Sequence, residues 1–187
     1  MSLLLDIFKD QRTVFKIAEI TMLFPHEDSR YISDRMRYYV KTGRLLNPRK
    51  GVYAKPGYNP LELANILYTP SYISLEYVLQ KSGIVFQYDT RITSVSYLTR
   101  ELTVDDRLLS YRRISQNIIM EASGIFRDGT HVNMATPERA FLDILYLNKN
   151  FYFDNLKPLD KQMIDKIIPA YKSMSLEMRV QKLLANG

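Results

Sequence analysis

Residues Asp28–Gly57 read DSRYISDRMRYYVKTGRLLNPRKGVYAKPG. Asp28 and Ser29 are helix-capping residues, and an amphipathic run follows over Arg30–Thr42. Gly43 suits the left-handed position that ends a helix. Leu45–Asn47 and Val52–Lys55 then read as short strands around the turn residues Pro48-Arg49-Lys50-Gly51. At 100° per residue, Ile32, Met36, Tyr39 and Val40 share one helix face and Arg30, Ser33, Asp34, Arg37 and Lys41 another. A basic helix followed by a hairpin with a basic tip predicts a recognition helix and wing.

The segments before it complete that order. Ser2 is placed to cap a first helix with Leu4, Leu5 and Phe8 on one side. Val14–Phe24 carries Ile17, Ile20, Leu23 and Phe24 at helical spacing, with Thr13 as its expected cap and Pro25 as its stop. Three helices and a hairpin predict a winged helix-turn-helix over residues 1–57. Residues 58–187 are expected to form a mixed α+β domain, a small antiparallel sheet with several helices. Asn59-Pro60 opens a helix and Ser74 is expected to cap another over Leu75–Lys81. Ile92–Tyr97 and Leu108–Ile114 are strand-like. Asn117–Arg127 leads through Asp128-Gly129, a hairpin signal, into His131–Ala135. Thr136-Pro137 starts a helix over Glu138–Leu147, and Leu159–Ala185 reads as two helices broken at Pro169.

Charge supports a division of labour. Residues 1–60 hold 11 Lys and Arg against 6 Asp and Glu, a net +5, whereas the remainder carries only +1 of the total +6. DNA is a polyanion, so the duplex is the expected partner. Arg bonds bidentately to guanine O6 and N7, and the N-terminal half of a recognition helix makes the base contacts. Arg30, Ser33 and Arg37 are therefore the expected base-readers. Lys41 suits a phosphate, Tyr38 and Arg35 flank the stripe, and Ser29 and Arg35 are further candidates for DNA contact. Arg44, Arg49 and Lys50 of the hairpin are expected to position the duplex. Asp34 opposes phosphate unless it accepts from a cytosine amine or orients an arginine.

Two separated segments resemble the AbiEi-type antitoxin and transcriptional regulator family of type IV toxin–antitoxin systems. The first is RMRYYVKTGRLLNPRKGVYAKPGYNPLELANIL, with the family's R-x-G-x-Y hairpin. The second is the pair YISLEYVLQKSGI and VNMATPERAFLDILYL, with strands between. The resemblance spans about residues 10–150. It implies a winged helix that represses its own promoter at inverted repeats, and a C-terminal domain that counteracts a nucleotidyltransferase-type toxin, acting on the toxin or on its target. Such systems serve phage defence. Arg91, Arg112, Arg113 and Arg127 are candidates for a second basic surface in that domain. The phrases also read as ordinary helix starts that mark the fold.

The residues argue against catalysis. With no cysteine there is no thiolate ligand or nucleophile, and two histidines and seven glycines leave little for metal or phosphate chemistry. No Asp-x-Lys, Glu-x-Lys, Gly-x-Gly-x-x-Gly or Gly-x-Ser-x-Gly occurs. Asp105-Asp106 reads as a turn. No enzymatic activity and no cofactor or metal are expected. The chain has no apolar run of about 18 residues, and MSLLLDIFKD is not a signal peptide, so a cytoplasmic protein without a membrane partner is expected. Two alternatives remain at this level: a stand-alone winged-helix regulator with an effector or assembly domain, and a metal-dependent nuclease.

Overall fold

The computed structural model describes residues 3–129 and 131–185 of the chain, so the expected cap at Ser2 lies outside the described residues. The class is α+β, in two units that meet in sequence at Leu67 and Tyr68. The first unit comprises α1 (Leu3–Lys9), β1 (Val14–Lys16), α2 (Ile17–Leu23), α3 (Ser29–Lys41), β2 (Leu46–Arg49), β3 (Val52–Ala54) and α4 (Pro60–Leu67). Its strands form an antiparallel sheet in the order β1-β3-β2.

The helix expected from Val14 begins three residues later, at Ile17. Val14, Phe15 and Lys16 are extended instead and pair with Ala54, Tyr53 and Val52. The extended form buries Val14 and Phe15 together, although they are neighbours on opposite faces. Phe15 joins Ile7, Ile20, Ile32, Met36, Tyr39, Leu45 and Tyr53 in the core. Thr13 therefore does not cap α2. Its N–H and hydroxyl both donate to Glu62 Oε2, at 2.6 and 2.7 Å, and Val14 N–H donates to the same oxygen at 3.2 Å. At the start of α2, Lys16 N–H donates to the Glu19 carboxylate at 2.9 Å. Glu62 lies on α4, so the sequence expectation that the unit closes at Gly57 stops short of α4, which packs against β1. The hairpin turn is also tighter than expected, with Pro48 and Arg49 inside β2.

The second unit contains β4 (Ser71–Ile73), α5 (Glu76–Lys81), β5 (Ile92–Ser96), β6 (Arg100–Val104), β7 (Arg107–Arg113), α6 (Gln116–Ile119), β8 (Ile125–Asp128), β9 (Val132–Ala135), α7 (Pro137–Leu147), α8 (Lys161–Ile167), the 3-10 turn Ile168–Tyr171 and α9 (Met174–Ala185). Its sheet has six strands in the order β6-β7-β5-β4-β9-β8. The expected small antiparallel sheet is thus corrected to a mixed one, because β5 pairs with β7 and β4 with β9 in parallel. The cause is strand insertion. β7 folds back on β6 and slots between β6 and β5, so β5 and β7 run the same way. The segment 117–127, expected to run on as sheet, starts as α6 and reaches β8 only at Ile125.

One buried network ties this unit together. Arg139 and Asp143, one turn apart on α7, are both fully buried and pair at 3.4 Å. Asp143 accepts from Ser74 Oγ at 2.7 Å, from Tyr171 Oη at 2.6 Å and from Tyr72 Oη at 3.1 Å. Ser74 is thereby committed to Asp143, and the residue preceding α5 is Leu75, not Ser74. Arg139 donates to the carbonyls of Ile118, Glu121 and Ser123 at 2.7, 3.2 and 2.8 Å, and to Tyr72 Oη. Burial works to lower the Arg139 pKa, but Tyr171, Tyr72 and Asp143 outweigh it and hold the guanidinium above its usual value. Burial pushes the phenols of Tyr72 and Tyr171 well up, so both remain donors. Gly124 lets the loop close on this centre. A Cβ there would meet Ile167 Cδ1 at 2.6 Å and Arg139 Cβ at 2.9 Å, and its φ of +73° favours glycine.

Removing one partner of a buried pair leaves the other uncompensated. Arg139→Met should lower the stability of the full chain by roughly 3–5 kcal/mol in urea unfolding, and Arg139→Met with Asp143→Leu should recover part of it. The exposed control Arg127→Ala should stay within about 0.5 kcal/mol. A loss below about 1 kcal/mol for Arg139→Met would show that the network is not what holds the unit.

Candidate nucleic-acid interface

Helix α3 is fixed at both ends by its own residues. The Asp28 carboxylate accepts from the N–H groups of Arg30 at 2.7 Å and Tyr31 at 3.2 Å. At the other end Thr42 is the C-cap, and Gly43, at φ +70°, turns the chain toward the hairpin. Ile32, Met36 and Tyr39 are buried and seat the helix on the core, with Val40 half-buried beside them.

The opposite face carries the predicted stripe. Ser29, Arg30, Ser33, Asp34 and Arg37 line one shallow depression. Ser33 donates its hydroxyl proton to the Ser29 carbonyl at 2.8 Å, which leaves its oxygen free to accept. Arg37 pairs with Asp34 at 3.2 Å, with side chains 74% and 70% exposed. Such a pair contributes little against water, so Asp34 orients Arg37 without immobilising it. Lys41 is exposed one turn further on. The side chains of Arg30, Lys41, Arg44, Arg49 and Lys50 are exposed and carry no ion pair among the described residues.

Arg35 behaves differently from the rest. Its guanidinium lies 5.3 Å from the ring centre of Tyr39 and 5.6 Å from that of Tyr38, and Nη2 donates to Tyr39 Oη at 3.3 Å. That contact draws the side chain back along α3, and the hydrogen bond with Tyr39 raises its pKa. Arg35 is half-buried support for the helix, away from the stripe. At the tip of the β2–β3 hairpin, Arg49 and Lys50 border a groove with Lys16. Ile17 N–H donates to the Gly51 carbonyl at 2.9 Å, which brings the tip against the start of α2. Lys16 is an addition to the basic set. The helical reading of Val14–Phe24 hid it, and the signal was the β-branched and aromatic pair Val14-Phe15 before it.

The four arginines proposed as a second basic surface do not come together. Arg91 is engaged by Asp89 at 2.6 Å and faces Glu101 at 3.9 Å. Arg112 and Arg113 are consecutive in β7 and so project to opposite faces of the sheet. Arg127 is on β8, the other edge strand. Asp105 and Asp106 form the turn between β6 and β7, both with positive φ, as a two-residue hairpin turn requires.

Among the described residues, no group of three or more His, Asp or Glu could hold a metal ion, and no helix is long and apolar enough to cross a membrane. No protein-family model matches the chain, and no curated protein matches it.

The two aspartates of α3 should separate in stability measurements. Asp28→Ala should cost about 1 kcal/mol, because two N–H groups lose their acceptor. Asp34→Ala should change urea unfolding by less than about 0.5 kcal/mol. Equal effects would contradict the capping assignment.

Proposed function

We propose that the first unit is a winged helix-turn-helix that binds duplex DNA, and that the chain represses its own promoter in the cytoplasm. The observation that carries this reading is the exposed stripe Arg30, Ser33, Arg37 and Lys41 on a helix capped at one end and closed by Gly43 at the other. The order helix, strand, helix, helix, strand, strand supports it, as does a basic tip at Arg49-Lys50. In this reading α3 enters the major groove with its N-terminal half on base edges, and the wing contacts the backbone. Arg37 exchanges Asp34 for a base, a step that costs little because the pair is exposed. Asp34 then accepts from a cytosine amine or keeps Arg37 aimed.

The second arm of the proposal is antitoxicity. The second unit counteracts a nucleotidyltransferase-type toxin, directly or through its target, and this rests on the family resemblance. The residues that carry the resemblance, Tyr72, Ser74, Arg139 and Asp143, are buried. They build the unit, and the surface around them must do the recognising.

Binding can be measured by fluorescence anisotropy on the duplex upstream of the gene. With about five phosphate contacts, log affinity should fall against log salt with a slope of about −4.5. Arg37→Ala should cost roughly 1–3 kcal/mol and relax preference at one base pair. Lys50→Ala should weaken all sequences alike and flatten the slope by about 1. If neither substitution alters binding, α3 and the wing are not the interface. Full-length protein carrying Arg30→Ala, Arg37→Ala and Lys41→Ala should still rescue toxin-arrested growth. Loss of rescue would make repression the only mechanism.

A further inference from the structure

The second unit contains a cleft of about 440 Å³ between the β4 entry, the end of β7 and α6. That volume falls in the range of small-molecule sites, about 300–1,000 Å³. Its floor is apolar: Ile114 and Ile119 are buried at 4% and 6% exposure, and Pro70 lies beside them. Tyr97, 48% exposed, offers its ring as a wall.

Three polar side chains of the cleft, those of Arg113, Ser115 and Gln116, are unspent among the described residues. Arg113 is held by its backbone, whose N–H donates to Thr99 Oγ1 at 3.1 Å, while its exposed guanidinium has no partner among the described residues. The hydroxyl of Ser115 and the amide of Gln116 also line the cleft without a hydrogen-bond partner of their own among the described residues. No carboxylate among the described residues lines it. A second guanidinium stands nearby. Arg100 of β6 pairs in register with Tyr111, two residues before Arg113, so it shares the sheet face of Arg113 as its diagonal neighbour. Arg100 is exposed and likewise carries no ion pair among the described residues. The acidic neighbour Glu101 projects to the other face, where it accepts from Ser110.

The Arg113 guanidinium, without a counter-charge beside an apolar floor and with Arg100 on the same sheet face, calls for a ligand with both characters. A bare inorganic anion would leave the floor wet, and an uncharged ring would leave the arginines unused. The guanidinium fork fits a carboxylate or a phosphate bidentately. We propose that this cleft binds a small organic anion, a flat apolar ring system carrying a carboxylate or phosphate, with Arg113 on the anionic end and Pro70, Ile114, Ile119 and Tyr97 around the ring. The site stands independently of DNA binding by the first unit.

Calorimetric titration of the full chain tests it with four probes: 2-naphthoate, adenosine 5′-monophosphate, adenosine and inorganic phosphate. At least one of the first two should bind with a Kd below about 1 mM, the strength expected for ligands of that size. Adenosine and inorganic phosphate should bind at least about tenfold more weakly, each lacking one half of the recognition. Naphthoate binding alone assigns a carboxylate ligand, and nucleotide binding alone assigns a phosphate. Arg113→Ala should weaken the bound probe about tenfold or more and Tyr97→Ala several-fold, whereas Arg127→Ala, on the far edge strand, should leave it unchanged. All three positions are exposed, and far-UV circular dichroism checks that each variant folds. The proposal is overturned if neither organic anion binds below 1 mM. It is equally overturned if inorganic phosphate binds as tightly, or if Arg127→Ala costs as much as Arg113→Ala.

Discussion

The second unit depends on Arg139 and Asp143 being paired and dry: burial raises the Asp143 pKa, and Arg139 with the hydroxyls of Tyr171, Ser74 and Tyr72 counters it. An arginine and an aspartate at zero exposure carry a desolvation cost that their mutual attraction offsets only if the remaining hydrogen-bonding capacity is met. Here it is met. The five N–H groups of Arg139 have acceptors in Tyr72, Asp143 and the carbonyls of Ile118, Glu121 and Ser123. Asp143 receives three hydroxyls besides the guanidinium. The partners come from β4 and the residue after it, α6 and the segment after it, α7 and the 3-10 turn, so one side-chain pair sets the mutual placement of elements far apart in sequence. The segment from Met120 to Ser123 is largely exposed, and it reaches this centre through the carbonyls of Glu121 and Ser123. That is why Gly124 must be small.

The same residues show why the sequence is only partly legible. Local signals held where they were self-sufficient. Asp28, the 3.6-residue pattern and Gly43 each constrain α3 without help from elsewhere, and Thr136-Pro137 does the same for α7. They misled where a distant partner outbid the local one. Thr13 and Ser74 are both good caps by type, yet their hydroxyls serve Glu62 and Asp143, 49 and 69 residues away. Strand β4 is three residues long beside Pro70, and β6 begins with Arg100-Glu101, so neither carried a legible period. Without those two strands, the parallel pairings could not be foreseen. At the candidate interface the wheel was enough to put Arg30, Asp34, Arg37 and Lys41 on an exposed face, with Ser33 half-buried among them. The inward turn of Arg35 was not legible, because the wheel places it beside the stripe and only the stacking on Tyr38 and Tyr39 reveals its preference.

Two Arg–Asp pairs on two helices now measure what exposure does to one chemistry. Arg139 and Asp143 sit at positions i and i+4 on α7, and Asp34 and Arg37 at i and i+3 on α3. Their distances are similar, 3.4 and 3.2 Å. In the interior, water cannot substitute for either partner, and separating the charges would strand both. On α3, where about three quarters of each side chain is wet, water replaces either partner at small cost. The inner pair is therefore architecture and the outer one a weak contact that water can replace. Arg113 and Arg100 fall in neither class. They are exposed like Arg37 but carry no ion pair among the described residues, and Arg113 borders an apolar floor that water does not favour. By composition every one of these residues is an arginine in a basic chain. Their surroundings divide them into a buried ion with every N–H satisfied, an exposed charge in a weak pair and an exposed charge with no pair among the described residues, and that division follows from burial and pairing rather than from net charge.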